Sequence, residues 1–441
     1  PLSRLARALL ERHAPMGEAF EAEQERRDSR REGDEIYDLT AWSLPLVWGV
    51  PMRSLATTPP TATLQPLVPD AARAARVSGA GKVAYLLAWT GPAAARSLGS
   101  LLQQGVVAGV ATRPFVLDGR RWERGTIVVR ASENDGQLRD RLATASAAFG
   151  VEFVGADSGY VDEGIDLGSS RVHPVEAPGV ALLWDVPTSA TSAGHVRHAL
   201  ERNLGYPVTP VRAAALGAAD LSRFDVLIMP DASEWGGGYS GAISEAALRR
   251  LQSWVRDGGT LVAVGGGAEF LAGEKVGLLA ARTEPRGGPA AAKPREGEAK
   301  PEPAKGDATR FDYEKHITPA DERPPSVPGA IVRVDLDGEH LLASGVPGGA
   351  LDVIVNSRRI FSPLKLDQGT NVGVFAPPER LLQSGFMLKA SREQLPRKGY
   401  LMVQEHGRGR VVAFAEDPAV RGFTVGAMVL LANAVFFGPA L

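Results

Sequence analysis

The stretch Leu261-Val-Ala-Val-Gly-Gly-Gly-Ala-Glu-Phe270 limits the possible folds more than any other part of the chain. Leu261 to Val264 reads as a short buried strand. Three glycines follow, where the backbone must turn sharply and a Cβ would be in the way. Ala268, Glu269 and Phe270 read as the start of a short helix. Strand, tight turn and helix are the parts of a nucleophile elbow. An elbow carries Ser, Cys or Thr at its tip, and here the tip is glycine. The frame of an active site is present without the atom that would react, so the sequence assigns no catalytic residue.

The segments around this stretch repeat the same alternation. Gly179 to Asp185, Val208 to Val211 and Phe224 to Pro230 read as strands. Ser192 to Leu204 reads as a helix, and so does a run capped by Ser244 with Ala247, Leu248, Leu251, Trp254 and Val255 on one face. Strands that alternate with helices predict a parallel sheet with right-handed crossovers. A hairpin is expected from Tyr400–Gln404 to Arg410–Ala415, and a last, core helix to about Phe437. Upstream, Lys82 to Val154 shows shorter strands around helices at Pro92–Gln104 and Gln137–Ala148, which argues a small α/β unit.

At 441 residues the chain is too long for one core. Residues 1–76 are read as an N-terminal helix, interrupted near Pro15, with an extended linker. Residues 77–172 are read as a small α/β domain. Residues 173–441 are read as a flavodoxin-like parallel-sheet domain carrying a disordered Pro-, Ala- and Lys-rich insertion at about 284–310. Tyr37 to Val50 holds three aromatics and a proline and reads as a segment that packs against a neighbouring domain.

Composition removes several classes of function. A net charge of −2 leaves no electrostatic footprint for nucleic acid. No apolar run reaches the roughly 18 residues of a membrane span. Cysteine is absent, which excludes disulfides, thiolate metal sites and a thiol nucleophile.

In an open parallel sheet, ligands sit beyond the carboxyl ends of the strands. Four segments are expected to meet there, at 185–192, 230–239, 265–269 and 416–418. The candidate ligand-binding residues are Asp185, Asp231, Trp235, Gly266, Gly267, Glu269 and Glu416. Carboxylates beside an aromatic suit a polyhydroxyl ligand or a cation. Capping of the following helices is the simpler account of the same carboxylates. The glycines could cradle a phosphate, but the Walker lysine and the dinucleotide spacing are missing. His173-Pro-Val-Glu176 has the His-x-x-Glu spacing of some zinc sites, yet it is read as lying in a linker without a third ligand. His195 and His198 share a helix face, also without a third ligand, so no metal site is assigned.

Two resemblances add to this reading. The region from Gly179 to Leu441 resembles the class I glutamine-amidotransferase-like fold, whose active members carry cysteine at the elbow and a later His-Pro-Glu. Here the cysteine position aligns with Gly267, and Ala415 stands where histidine is expected in Val411-Val-Ala-Phe-Ala-Glu-Asp-Pro418. The order of Tyr37-Asp-Leu-Thr-Ala-Trp-Ser-Leu-Pro-Leu46, Arg124-Gly-Thr-Ile-Val-Val129, Val226-Leu-Ile-Met-Pro-Asp231, Gly258 to Ala268 and Gly409 to Arg421 resembles the C-terminal half of large bacterial carboxypeptidase A-like zinc carboxypeptidases. That resemblance implies a non-catalytic accessory region with no cofactor of its own. It implies zinc in a preceding peptidase domain, which would be its partner, and a periplasmic or secreted location. The alternative is a ligand-binding module for a sugar or peptide on a degenerate amidotransferase-like fold.

Overall fold

The structure is a computed structural model that describes residues 2–12, 16–53, 55, 57, 60, 76–233, 237–288, 319 and 322–441. From residue 289 on, the expected insertion lies outside the described residues, as do Trp235 and most of the expected linker.

The α/β reading holds. The second domain is built on a ten-stranded sheet among the described residues. Five of its strands are parallel, in the order Thr209–Arg212, Val180–Trp184, Val226–Met229, Thr260–Val264 and Gly409–Phe414. Numbered along the chain these run 2-1-3-4-5, the flavodoxin-like order. The three middle runs are apolar apart from Thr260, because helices cover both faces of a parallel sheet. The sheet continues antiparallel through Gly399–His406, Thr370–Phe375, Ala330–Leu336 and Ala350–Val355. The expected hairpin is the Gly399–His406 and Gly409–Phe414 pair. Helix Glu245–Arg256 starts where expected, with the Ser244 hydroxyl accepting the Ala247 N–H at 3.2 Å.

Among the described residues, the first domain is a six-stranded mixed sheet with helices Pro92–Gln103 and Leu138–Phe149 packed on it. One strand departs from the sequence reading. Val172–Val175 is the edge strand of this sheet, paired antiparallel with Ala108–Ala111, where a linker was expected. Pro174 is tolerated because an edge strand needs hydrogen bonds on one side only. The expected N-terminal helix is two helices, Leu2–Leu10 and Glu18–Ser29.

A single hydrophobic cluster runs through both domains. Its hinge is the last long helix, Val425–Phe436, which is apolar on every side and buried from Ala427 to Phe436. The one amide in that run, Asn433, is fully buried. Its oxygen accepts the Trp89 indole N–H at 2.7 Å, and its nitrogen donates to the carbonyls of Leu342 and Ser344, both at 2.8 Å. One side chain thereby ties the first domain to two points of the second. An N-terminal arm lies along the second domain. Asp28 takes a forked pair from Arg286, and Thr40 Oγ1 accepts the Phe386 N–H at 2.9 Å. Ala41, Leu46 and Val47 pack on Ile331, Ile354 and Val420, the docking expected of this segment.

Replacing Asn433 by Leu leaves the Trp89 N–H and two carbonyls unpaired in the core, so Asn433→Leu is expected to lower stability by about 2–4 kcal/mol. Urea unfolding followed by far-UV circular dichroism checks this.

Candidate functional site

Strand Thr260–Val264 is buried along its whole length and runs directly into helix Gly266–Leu271. Gly265 makes the corner, with φ +51° and ψ −111°, a conformation that side chains rarely adopt. The strand-to-helix corner is therefore present. Its tip is Gly265 rather than Gly267, a correction to the sequence alignment, because Gly266 and Gly267 already lie inside the helix. Three consecutive glycines look alike in sequence, and only the backbone angles separate the tip from the first turn.

The space a nucleophile would need is filled. A Cβ on Gly265 would stand 2.9 Å from Cγ of Asp231, and one on Gly266 would stand 2.6 Å from Asp231 Oδ1. A Cβ on Gly267 would be 2.5 Å from the Met229 carbonyl oxygen. Asp231 Oδ1 accepts the backbone N–H of Gly266 at 2.7 Å and that of Ala232 at 2.7 Å. In a working elbow, the amide that follows the tip helps to bind an oxyanion. Here that amide already donates to a carboxylate of the same chain.

Arg359 locks the carboxylate in place. Its Nη1 donates to Asp231 Oδ2 at 3.1 Å, its Nη2 lies 3.0 Å from Oδ1, and its Nε donates to Glu269 Oε2 at 2.9 Å. Arg323 Nη2 donates to the other oxygen of Glu269 at 3.1 Å. The fork of one guanidinium thus joins the end of the third parallel strand to the helix after the fourth. Burial pushes the Asp231 carboxyl above its ordinary value, while Arg359 and the two amides pull the other way.

Glu416 follows strand Gly409–Phe414 and is buried. Its Oε1 accepts the Ser357 hydroxyl at 2.6 Å, and its Oε2 accepts the Asn356 N–H at 3.4 Å. Burial pushes its pKa up to about 7, against the pull of Ser357, Arg359 and Asn356. Glu416 therefore anchors the 356–359 segment from which Arg359 projects.

Among the sequence-derived candidates, Asp231, Gly266 and Glu269 come together around Arg359, and Glu416 holds the segment that carries it. Gly267 is buried against Met229 and Pro230. Asp185 is exposed, and its ion-pair partner is Arg212 at 3.8 Å. Arg359 and Arg323 were missed because they belong to no expected strand end of the parallel sheet. Two adjacent arginines shortly after the strand Ala350–Val355 are the signal that could have found the first.

Neighbouring polar groups form no relay. The Ser192 hydroxyl donates to Asp417 Oδ2 at 2.9 Å, and His195 Nδ1 lies 3.2 Å from the same oxygen. A catalytic triad has histidine between serine and acid, whereas here the acid stands between the other two. His173 sits on the edge strand, and its Nδ1 donates to the Ala440 carbonyl at 2.6 Å, a structural bond between the first sheet and the C-terminal turn. No helix among the described residues is long and apolar enough to cross a membrane.

No protein-family model and no curated protein matches the chain. Solved structures resemble it at low identity. A putative ThuA-like protein from Parabacteroides merdae aligns at 12% identity and TM-score 0.38, over 59% of this chain and 90% of its own. A second putative ThuA-like protein, from Bacteroides uniformis, aligns at 10% and 0.35, over 58% and 88%. A β-galactosidase from Bacillus circulans aligns at 12% and 0.34 over 59% of this chain, which spans only 31% of that enzyme. The strand order and the corner at Gly265 give the second domain its flavodoxin-like, class I glutamine-amidotransferase-like form.

A carboxyl whose folded-state pKa is raised stabilises the fold below its unfolded value, and that contribution is lost as pH rises through the folded value. For Glu416 the window runs from about 4.5 to about 7. Glu416→Gln is expected to remove this dependence, leaving the variant more stable than the native chain at pH 8 by up to about 3 kcal/mol, with little difference at pH 4.5. Paired urea titrations across that range measure it.

Proposed function

We propose that this chain is a non-catalytic accessory region of a bacterial zinc carboxypeptidase, joined to a peptidase domain that would hold the zinc and hydrolyse C-terminal peptide bonds. The observation that carries the non-catalytic half of this reading is the Asp231 carboxylate. It occupies the elbow where a reactive side chain would stand and takes the Gly266 N–H that would otherwise face a substrate oxyanion. Glycine at the tip supplies no nucleophile, and the carboxylate blocks the approach of one from elsewhere.

The carboxypeptidase half rests on the ordered run of matching stretches from Tyr37 to Arg421. The arm supports an accessory role physically. Residues from Glu25 to Val47 are fastened to the second domain by the Asp28–Arg286 pair, the Glu25 carboxylate on the Lys389 N–H at 2.8 Å, and the Asp38–Arg421 pair. A domain attached before this arm would be held close to the second domain rather than swinging on a free linker. The location, periplasmic or secreted, follows from the same resemblance.

Purified chain with added zinc is expected to show no turnover of peptide, ester or glutamine substrates, and measurable turnover in any of these would end the non-catalytic reading. The genomic frame upstream of the Pro1 codon is expected to encode a His-x-x-Glu zinc peptidase domain. A stop codon close upstream would sink the carboxypeptidase reading alone.

A further inference from the structure

We propose that the open cleft beside the elbow binds an oxyanion, a carboxylate or a phosphate, carried on a small apolar body. The cleft has a volume of 850 Å³ and lies between the turn after strand Val226–Met229, helix Gly266–Leu271 and the Arg358–Arg359 segment. That volume suits a small-molecule ligand. The proposal goes beyond the accessory role and does not depend on it.

The argument turns on which polar groups in the cleft remain available. Its carboxylate nearest the elbow, Glu269, is held by both Arg359 and Arg323. Asp231, behind it, is held by Arg359 and two amides. Neither carboxylate is left to grip a sugar hydroxyl or a cation. Glu274, the third carboxylate of the lining, is partnered as well, and the charged groups that remain available are cationic. Arg358 and Lys275 line the cleft, are exposed, and have no hydrogen bond or ion pair among the described residues. Arg323 uses only Nη2, on Glu269, and keeps the rest of its fork open. A guanidinium fork matches the paired oxygens of a carboxylate or phosphate, and a lysine beside it adds a point charge.

The apolar half of the ligand follows from the apolar wall that these cations share the cleft with. Phe270 and Val276 line the cleft, each with 8% of its surface still exposed. Phe270 is backed by the Tyr239 ring, with centroids 5.9 Å apart, so the wall is rigid. A ligand with its oxyanion on Arg358, Lys275 and Arg323 would lay its apolar part on this wall. Arg359 positions the site without being consumed by it, because its fork is already closed on Asp231 and Glu269.

Titration calorimetry of the full chain tests this with four probes: phenylacetate, phenyl phosphate, inorganic phosphate and benzyl alcohol. Saturable binding of phenylacetate or phenyl phosphate is expected, and the tighter of the two names the head group. Benzyl alcohol should not bind, and inorganic phosphate should bind at least about tenfold more weakly, having no apolar part. The double variant Arg358→Glu, Lys275→Glu should lose binding by about a hundredfold, roughly tenfold for each charge reversed. Both side chains are exposed and unpaired among the described residues, so its circular dichroism and melting should match the native chain. Should it misfold, the Arg358→Ala single variant reads the same loss at about tenfold. Absence of binding by both aromatic anions, equal affinity in the charge-altered variant, or equal binding of benzyl alcohol would each overturn the proposal. None of these outcomes bears on the turnover assay or on the upstream frame.

Discussion

The close approach of the Gly265–Gly267 turn to the Met229–Asp231 segment is the constraint on which the rest of the second domain depends. Strands Val226–Met229 and Thr260–Val264 run parallel and in register, so the turns that leave them emerge side by side. Both turns can pass at that spacing only if one has no side chains. Any Cβ at Gly265, Gly266 or Gly267 would fall within 3 Å of the neighbouring turn. Glycine therefore sets the distance between the turns, and that distance brings the Asp231 carboxylate onto the Gly266 amide. In an active elbow the same room would be left for a substrate. Here the chain fills it with its own acid.

Filling the elbow with a charge creates a second requirement. A half-buried carboxylate on two amides is stable only with a cation close by. Arg359 supplies that cation, but it comes from the antiparallel half of the sheet, after strand Ala350–Val355. Its placement depends on the Ser357 hydroxyl and the Asn356 N–H, both held by Glu416 at the end of the fifth parallel strand. The corner, the acid, the cation and the anchor form one connected set drawn from four chain segments. Glu416 is the weak member, since burial works against its charged form while the bond from Ser357 favours it. The two halves of the sheet are thus linked electrostatically as well as by the backbone ladder.

Local pattern made the parallel half of this domain readable. Val226–Met229 and Thr260–Val264 are short apolar runs bounded by polar or glycine residues, and Ser244 announces the helix between them. The helix Val425–Phe436 was equally plain, because a run that is apolar on every side has nowhere to go but the core. What escaped reading was set by tertiary geometry. Val172–Val175 looks like a linker because Pro174 and His173 interrupt its pattern, yet an edge position accepts both. The tip of the elbow could not be chosen among three glycines. Asp231 and Glu269 were found as strand-end acids, but the cation between them sits 90 residues from one and 128 from the other. No local rule connects positions so far apart.

The packing of this chain decides which parts of the fold are required. The glycines stay because the packing of two turns requires them, whatever stands at the tip. The shared helix stays because it closes the core of both domains. Asn433 within it fixes their mutual orientation through Trp89. The arm adds a third body to this unit through charges at Glu25, Asp28 and Asp38, each on a different element of the second domain. These contacts hold the arm against the second domain and leave the cleft at the strand-end edge open to solvent.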